Sequence, residues 1–572
     1  MKKNNLFTKP LTACVFCFLL FASFTQVFAQ NPNCFRLTFS DKNGSPYSIE
    51  RPEEFLSPRA IAKRARFNIP VTVQDLPVNP QYITSIQNAI STPTRIISTS
   101  KWNNSIVIFF PEDGDYQNIV DNILATFTFV TEAQPVAYYN LTKNSKTSLP
   151  EQNSTSIVYN PSCDYNYGSS IDNMHLHKGE FLHKAGFCGE DMLICVFDVG
   201  WEDFDKISYF RPLYENGQIW GTRDLIPGMN NVYTEHGHGT LVTSEMASMI
   251  EGQMVGTAPK ANYFFIRSDD PIREQPVEED FYAQASEIAD SLGADVSTAS
   301  LGYTTFDYEW QNTLMPADNN GTSSIASRAA TILTQKGVIV VIAAGNSGTD
   351  SWHYISRPAD AFNILAVGAV DKNGAIASYS SYGPSADGRV KPDVAAPGHG
   401  SWIVYGEGAI MPFGSGTSCA TPIIAGLSAC LWQALPQYSS SEVMQLIRKY
   451  GDCFNNPNDR TGYGIPNFYQ IYLDHYNHIP ENKISSFSVY PNPTSGEVHV
   501  TFPSFGETGV VNHASLVTNI EVFDVYGRKQ SHSSLATRYE TDEVVINISH
   551  LSAGLYFLKI TSENVFVKVV KR

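Results

Sequence analysis

The middle of the chain predicts an α/β domain, a doubly wound and mostly parallel sheet, with a small α+β unit before it and an all-β sandwich after it. Three patterns predict this. Between 192 and 450, short apolar runs such as 338–343 alternate with stretches of helical spacing, and buried strands separated by helices make a parallel sheet. Between 34 and 139, strands and helices alternate in a shorter unit. From 487 to 572, brief alternating strands are separated by turn pairs at Asn492-Pro493, Tyr526-Gly527 and Ala553-Gly554, the pattern of a small sandwich.

A length of 572 residues allows three or four domains, and an apolar share of 42% with 12% aromatic residues supplies a large core. Charged residues make up only 17%, and the net charge of −17 excludes nucleic acid as an expected partner. Residues 1–29 read as a secretory signal: Lys2 and Lys3, an apolar stretch at 11–24, and Val27-Phe28-Ala29 as a cleavage site before Gln30. That stretch is short for a membrane span, and no later stretch is apolar enough, so a secreted chain with no transmembrane segment after signal removal is expected. Nine cysteines include Cys14 and Cys17 in the signal. The remainder are too scattered for a disulfide framework; Cys163 with Cys188 is the candidate bridge, and the others read as small buried hydrophobes.

Within 30–142, a strand at 35–39, a helix at 80–90, a hairpin of 95–100 and 105–110, a helix at 116–127 and a strand at 129–136 spell a ferredoxin-like unit. Residues 143–167 are polar and without periodicity, an exposed linker open to nicking. The α/β domain spans 168–473. Its predicted strands are 192–199, 261–266, 295–301, 338–343 and 364–370; its helices are 281–292, 324–335, 420–434 and 441–450. A ligand site belongs off the carboxyl ends of such strands. A second polar linker covers 474–486, and 487–572 form the sandwich.

The site is expected around Gly414-Ser415-Gly416-Thr417-Ser418-Cys419-Ala420-Thr421-Pro422, a tight loop feeding a buried helix with Ser418 in its first turn. Glycines let the backbone approach a substrate, and a helix N-terminus favours developing negative charge. Pro422 is expected in the first turns, where a missing N–H costs little. Asp198 ends a predicted strand, His238 precedes a helical stretch at 241–250, and Asn346 follows the most apolar strand. Asp198, His238 and Asn346 each have a commoner reading alone, as turn former, helix cap and turn asparagine, and a serine-rich turn is the bland reading of the Ser418 stretch. His236 and His238 also have a metal-ligand spacing, without a companion cluster elsewhere. Together, a hydroxyl, a base, an orienting carboxylate and an amide donor are what acyl transfer from a peptide requires.

Five stretches, Val196-Phe197-Asp198-Val199-Gly200, His238-Gly239-Thr240, Ser300-Leu301-Gly302, Ala343-Ala344-Gly345-Asn346-Ser347-Gly348 and Gly416-Thr417-Ser418-Cys419-Ala420-Thr421-Pro422, resemble the subtilisin-like serine proteases, the subtilases, in order. The order Asp, His, Ser is that of subtilisin and excludes the α/β-hydrolase order. The resemblance implies a secreted serine endopeptidase acting on proteins or peptides. In it Ser418 is the nucleophile, His238 the general base and then acid, and Asp198 the group orienting the imidazole. Asn346 belongs to the oxyanion hole; Ser300, Leu301 and Gly302 pair with the substrate backbone, while Ala343, Ala344 and Gly345 line the first specificity pocket. No cofactor is required for this chemistry. Calcium, which many subtilases bind, has no legible ligand loop even in the insertion between Tyr303 and Thr322.

The pattern departs from the family at Val199, where a hydrogen bond to the carboxylate is expected to be missing, at Leu241, and at Cys419, an oxidisable thiol beside the nucleophile open to thiol reagents if accessible. The flanks extend the resemblance. Residues 30–142 resemble subtilase propeptides, which assist folding and then inhibit, with cleavage implied in 143–167. The motifs Tyr490-Pro491-Asn492-Pro493, Phe523-Asp524-Val525-Tyr526-Gly527-Arg528 and Leu551-Ser552-Ala553-Gly554-Leu555-Tyr556 resemble the sorting domain read by the type IX secretion machinery of Bacteroidetes, implying export through the periplasm to the cell surface or medium. The rival readings are a catalytically silent subtilase fold serving as a surface binding module and a metal hydrolase using His236 and His238.

Overall fold

The computed structural model describes residues 31–112, 114–139, 163–307, 311, 314–406, 408–476, 488–490, 494–501, 520–524, 529–530, 535–538, 543–560 and 565–571. The expected signal, nearly all of both linkers, part of the 303–322 insertion and the turns at Asn492-Pro493 and Tyr526-Gly527 lie outside the described residues. Among the described residues no helix is long and apolar enough to cross a membrane.

The N-terminal unit runs β1 (Cys34–Phe39), α1 (Pro58–Arg66), α2 (Pro80–Ala89), β2 (Arg95–Ser100), β3 (Ser105–Phe109), α3 (Gln117–Thr126) and β4 (Val130–Ala137). Its sheet is antiparallel with order β2-β3-β1-β4. Side chains alternate along β1 as the pleat requires. Phe35, Leu37 and Phe39 pack with Ile86, Val120 and Ile123 of α2 and α3, while Arg36 points the other way. Apart from α1, these elements follow the β-α-β-β-α-β pattern read from the sequence.

The central domain continues with α4 (Ile171–Met174), α5 (Glu180–Lys184), β5 (Leu193–Asp198), α6 (Arg211–Glu215), β6 (Ile219–Asp224), α7 (His238–Ala247), the pair β7 (Met249–Ile250) and β8 (Met254–Val255), β9 (Asn262–Arg267), α8 (Val277–Leu292) and β10 (Val296–Ala299). It closes with α9 (Ile325–Gln335), β11 (Ile339–Ala343), β12 (Leu365–Asp371), β13 (Val394–Tyr405), β14 (Ala409–Ser415), α10 (Thr417–Ala434), α11 (Ser440–Lys449) and α12 (Phe468–His475). The eight-stranded sheet has order β14-β13-β12-β11-β10-β5-β9-β6. Every pairing is parallel except that of β13 with edge strand β14.

Both faces of the sheet are covered, which is why its strands read as unbroken apolar runs. Ile194, Val196, Ile339 and Val341 pack in a core with Val242 and Met246 of α7 and Ile423, Ile424 and Leu427 of α10. Leu193, Cys195, Phe197, Val340 and Ile342 pack on the other side with Phe281 and Ala285 of α8 and Ala330 and Leu333 of α9. The free face of the N-terminal sheet rests on α8. There Arg36 makes a bidentate pair with Asp280 (2.7 and 2.6 Å), and Glu287 accepts from Ser100 Oγ (2.6 Å) and from the backbone N–H groups of Lys101 and Trp102 (2.9 and 3.0 Å).

Three expectations need correction. Helix α7 starts at His238 itself and not at Leu241, and it ends at Ala247. Helix α8 starts at Val277, before the predicted 281, because its first turn is the acidic run Glu278-Glu279-Asp280, which suits a helix N-terminus but breaks the apolar spacing. Pro422 is the sixth residue of α10, deep enough that its missing N–H deprives a carbonyl of its partner. The candidate bridge is present: Cys163 and Cys188 form a disulfide with Cα atoms 6.6 Å apart.

The C-terminal strands form two antiparallel four-stranded sheets. One joins Ser488–Tyr490, Glu497–Thr501, Glu543–Asn547 and Leu535–Arg538; the other joins Lys529–Gln530, Ile520–Asp524, Gly554–Ile560 and Val565–Lys571.

Candidate active site

Strand order reverses beside β5: β9 and β6 lie on one side and β10, β11 and β12 on the other. A crevice at the carboxyl ends of the strands belongs at such a switch point. Asp198 ends β5, Ser300 follows β10, and Ala343 ends β11. Three adjacent strands thus deliver three of the residues singled out in the sequence to one edge.

Asp198 is 1% exposed in its side chain, and His238 Nδ1 lies 2.8 Å from its Oδ1 and 3.0 Å from its Oδ2. A proton on Nδ1 serves this carboxylate and leaves the Nε2 lone pair free. The backbone N–H of Val199 donates to Oδ1 at 2.8 Å, so the main chain supplies a bond that the Val199 side chain cannot. His238 opens α7, and its own N–H donates to His236 Nδ1 at 3.2 Å. Burial pulls the His238 imidazole down, but the charge and hydrogen bond of Asp198, aided by Asp269, outweigh it and raise the imidazole above its ordinary value. Burial in the first place, then the charges of Asp198 and Asp270, push Asp269 up to about 7, against the Tyr303 hydroxyl that donates to it at 2.9 Å and the pull of His238.

Ser418 is the second residue of α10. Its Oγ donates to the carbonyl of Ser300 at 3.3 Å, and among the described residues it makes no hydrogen bond to His238. Pro422 cannot bond the carbonyl of Ser418 four residues back, and Ser300 Oγ donates to that carbonyl instead, at 2.9 Å. The backbone N–H of Ser418 has no partner among the described residues, as expected for an early N–H of a helix.

Asn346 is positioned by Thr417. Its Oδ1 accepts from Thr417 N at 2.8 Å and from Thr417 Oγ1 at 3.1 Å, while Thr417 Oγ1 accepts from the N–H of Gly345 at 3.1 Å. With Oδ1 engaged, the amide Nδ2 is the end left to donate. Gly345 has φ +108°, and a Cβ there would lie 2.9 Å from Ser381 Oγ and 3.0 Å from Ser356 Oγ, so only glycine fits the turn that carries Asn346.

Of the residues assigned to substrate binding, Leu301 and Gly302 take part in none of the described backbone hydrogen bonds, whereas Tyr303 next to them pairs reciprocally with Arg357 (2.8 and 3.2 Å). Ala343 and Ala344 are buried, and Ala344 is tied by its N–H to Val367 and by its carbonyl to Ser356, both at 3.0 Å. Among the described residues no group of three or more His, Cys, Asp or Glu side chains has a metal-holding arrangement. Cys419 is 2% exposed, and burial, with the Glu245 charge second, pushes its thiol well above the ordinary range. The access on which sensitivity to thiol reagents is conditional is not present at this buried side chain.

Thr417 and Arg267 were not legible. Arg267, fully buried at the end of β9, donates to Asp224 (3.0 Å), to the carbonyl of Val232 (3.1 Å) and to that of Thr234, and so fastens the loop that leads into His238. The only signal was an arginine immediately after the apolar run predicted at 261–266.

Residues 189–464 match the Subtilase family, residues 35–153 the Peptidase S8 propeptide domain of Bacteroidota, and residues 488–572 the secretion system C-terminal sorting domain. Among curated relatives, M-protease of Shouchella clausii (strain KSM-K16) is 29% identical over 50% of this chain and 63% of its own length. Serine protease AprX of Bacillus subtilis (strain 168) is 29% identical over 46% of this chain and 62% of its own. Subtilisin Savinase of Lederbergia lenta is 28% identical over 50% of this chain and 90% of its own. The chain thus spans less than two thirds of the length of the first two.

Proposed function

We propose that this chain, which carries a subtilase-family domain between an S8 propeptide domain and a secretion sorting domain, is made as an exported zymogen and matures to a serine endopeptidase. The observation that carries the reading is the buried Asp198 holding His238 Nδ1 (2.8 and 3.0 Å) at the switch point of the sheet. Ser418 Oγ attacks the carbonyl carbon of a peptide while His238 Nε2 takes its proton. The resulting imidazolium is held by the Asp198 carboxylate. The oxyanion is met by Asn346 Nδ2 and the backbone N–H of Ser418. His238 then protonates the leaving amine, the C–N bond breaks, and an ester to Ser418 remains. Water, deprotonated by the same imidazole, releases the acid and restores the serine.

Leu301 and Gly302, following Ser300, offer main chain with no backbone partner among the described residues to an extended substrate, a strand-addition mode, and Ala343, Ala344 and Gly345 form the small-residue wall beside it. The propeptide domain inhibits until the segment after it is cut. The sorting domain directs the protein to the type IX machinery, and the mature enzyme works outside the cell.

One observation favours a second reading, a catalytically silent binding module: the Ser418 hydroxyl faces the Ser300 carbonyl and not His238. Catalytic hydrogen bonds commonly close only with substrate in place. Fluorophosphonate labelling of the purified protein separates the two readings. Labelling at Ser418, lost in Ser418→Ala together with peptide hydrolysis, is expected. Hydrolysis that persists in Ser418→Ala removes the serine mechanism.

A further inference from the structure

The face of the subtilase domain opposite the candidate site is where β5, β10 and β11 begin and where α8, α9 and α10 end. A helix end exposes unpaired carbonyls and partial negative charge. None of these three helices has a basic residue in its last turn, and α8 places Asp290 there, an anion where a cation is favoured.

Helix α1 brings the missing cations. It lies in an insertion between β1 and α2, outside the strand-helix pattern of its unit, and reads Pro58-Arg59-Ala60-Ile61-Ala62-Lys63-Arg64-Ala65-Arg66. Arg64 Nη2 donates to both oxygens of Asp290 at 2.8 Å, and Arg59 donates to the carbonyls of Gly293 (3.1 Å) and Asp191 (2.8 Å) and pairs with Asp295. Lys63 donates to the carbonyl of Ala294 and Arg66 to that of Pro436, just past α10. Phe67 meets the ring of Trp432 at 5.9 Å. Gly293, the left-handed cap of α8, would put a Cβ 2.7 Å from the N of Ala60, so the two helices meet too closely for a side chain. In return Lys336, next after α9, reaches Asp75 at 2.8 Å, and Asp75 also pairs with Arg64 at 3.0 Å. Lys63, Arg64, Asp75 and Asp290 are all buried.

We infer that α1 and the turn at 72–75 form a second docking element, by which the propeptide domain stays bound to these helix ends after the connecting segment is cut, independently of the active site. The inference rests on the propeptide reading above, and its occupant is this chain's own α1. Taking Arg64 from this buried network leaves Asp290 with only Lys101 (3.2 Å) and Asp75 with only Lys336 (2.8 Å) as cationic partners, a loss of charge balance in a buried site.

The test uses the full chain carrying Ser418→Ala, so that no activity of its own intervenes, with a site for an unrelated protease placed within 140–162. After cutting, the dissociation constant of the propeptide domain is measured for this parent, for Arg64→Met, and for Tyr138→Ala/Tyr139→Ala, which removes contacts at the opposite end of the unit. Retention by the parent and by the tyrosine variant is expected, with binding about thirty-fold weaker or more in Arg64→Met. A change of less than about threefold in Arg64→Met, or release by the tyrosine variant alone, overturns the inference. If Arg64→Met does not accumulate, hydrogen exchange on the cut parent decides: amides of 289–295 stay as protected as in the intact chain, and their loss of protection on cutting overturns it. The readout is binding, so a failure of the peptidase reading shows separately in the fluorophosphonate experiment.

Discussion

Ser300 and Ser418 hold one another by two hydrogen bonds of opposite sense: Ser300 Oγ donates to the Ser418 carbonyl at 2.9 Å, and Ser418 Oγ donates to the Ser300 carbonyl at 3.3 Å. The first exists because Pro422 leaves that carbonyl without its helical partner. The second sets the proposed nucleophile against the strand segment proposed to bind substrate. The start of α10 is therefore registered on the end of β10 by the same two residues proposed to meet the substrate.

Ser300→Ala is expected to lower stability by about 1–2 kcal/mol, the cost of a carbonyl left without a donor. In a Pro422→Ala background the helix supplies its own N–H, and the penalty of Ser300→Ala shrinks. Denaturant midpoints of the four proteins in this cycle measure the coupling, and strictly additive effects would sink the account.

The His238 imidazole is raised chiefly by Asp198 against the effect of burial, with Asp269 adding to it. The protonated imidazole cannot accept a proton from Ser418, so activity appears as pH rises through this raised value. Asp198→Asn removes the lifting charge, and the acid limb of kcat/KM moves to lower pH while kcat falls on the order of ten-thousand-fold. Asp269→Asn moves the limb the same way by less. For folding the sign is opposite: a raised histidine contributes stability that is full below its unfolded value and lost as pH rises through the folded one. A limb that stays in place in both variants contradicts the electrostatic assignment.

The strands that carry the site were legible because both of their faces are buried: β5 and β11 are apolar at every position except the terminal Asp198. Helix α10 was legible for the same reason. Helix α1 was not, because its buried face is built from Lys63 and Arg64 as well as Ala60, and no apolar periodicity marks a helix that docks by charge. Strands β13 and β14 were hidden by Pro397, Gly398, Gly400, Pro412 and Gly414, which the ladder accommodates through two register shifts. Within the site, motifs named the groups proposed to handle protons. They could not name Thr417 as the residue orienting Asn346, since that role exists only when two segments far apart in sequence meet.

Cys419 follows the nucleophile, yet its 2% exposure and raised thiol value make it a poor target, since the thiolate is the reacting species. Iodoacetamide applied to the folded protein is expected to leave Cys419 unmodified and peptide hydrolysis intact, with alkylation appearing only in denaturant. Peptide mapping by mass spectrometry checks this, and stoichiometric labelling of Cys419 in the folded protein would show that the wall around it opens.

Asn346 has an observed task and a proposed one that a single deletion would confuse. Its Oδ1 accepts from the N–H and hydroxyl of Thr417 (2.8 and 3.1 Å), and its Nδ2 remains for the oxyanion. Asn346→Leu removes both, so the start of α10 loosens while the oxyanion loses a donor. Asn346→Asp keeps an acceptor for Thr417 while replacing the amide donor with a carboxylate, whose charge also opposes the oxyanion. The aspartate variant is therefore expected to unfold at nearly the wild-type midpoint, with KM little changed and kcat lower by at least on the order of a hundred- to a thousand-fold. That magnitude is the one known for removing such a donor from subtilisin and is carried over from it. The leucine variant is expected to lose similar activity and, in addition, about 1–2 kcal/mol of stability, because Thr417 is left with an unpaired N–H. Steady-state kinetics paired with thermal unfolding separates the two tasks, and an aspartate variant that keeps its kcat would show that the Nδ2 amide takes no part in stabilising the transition state.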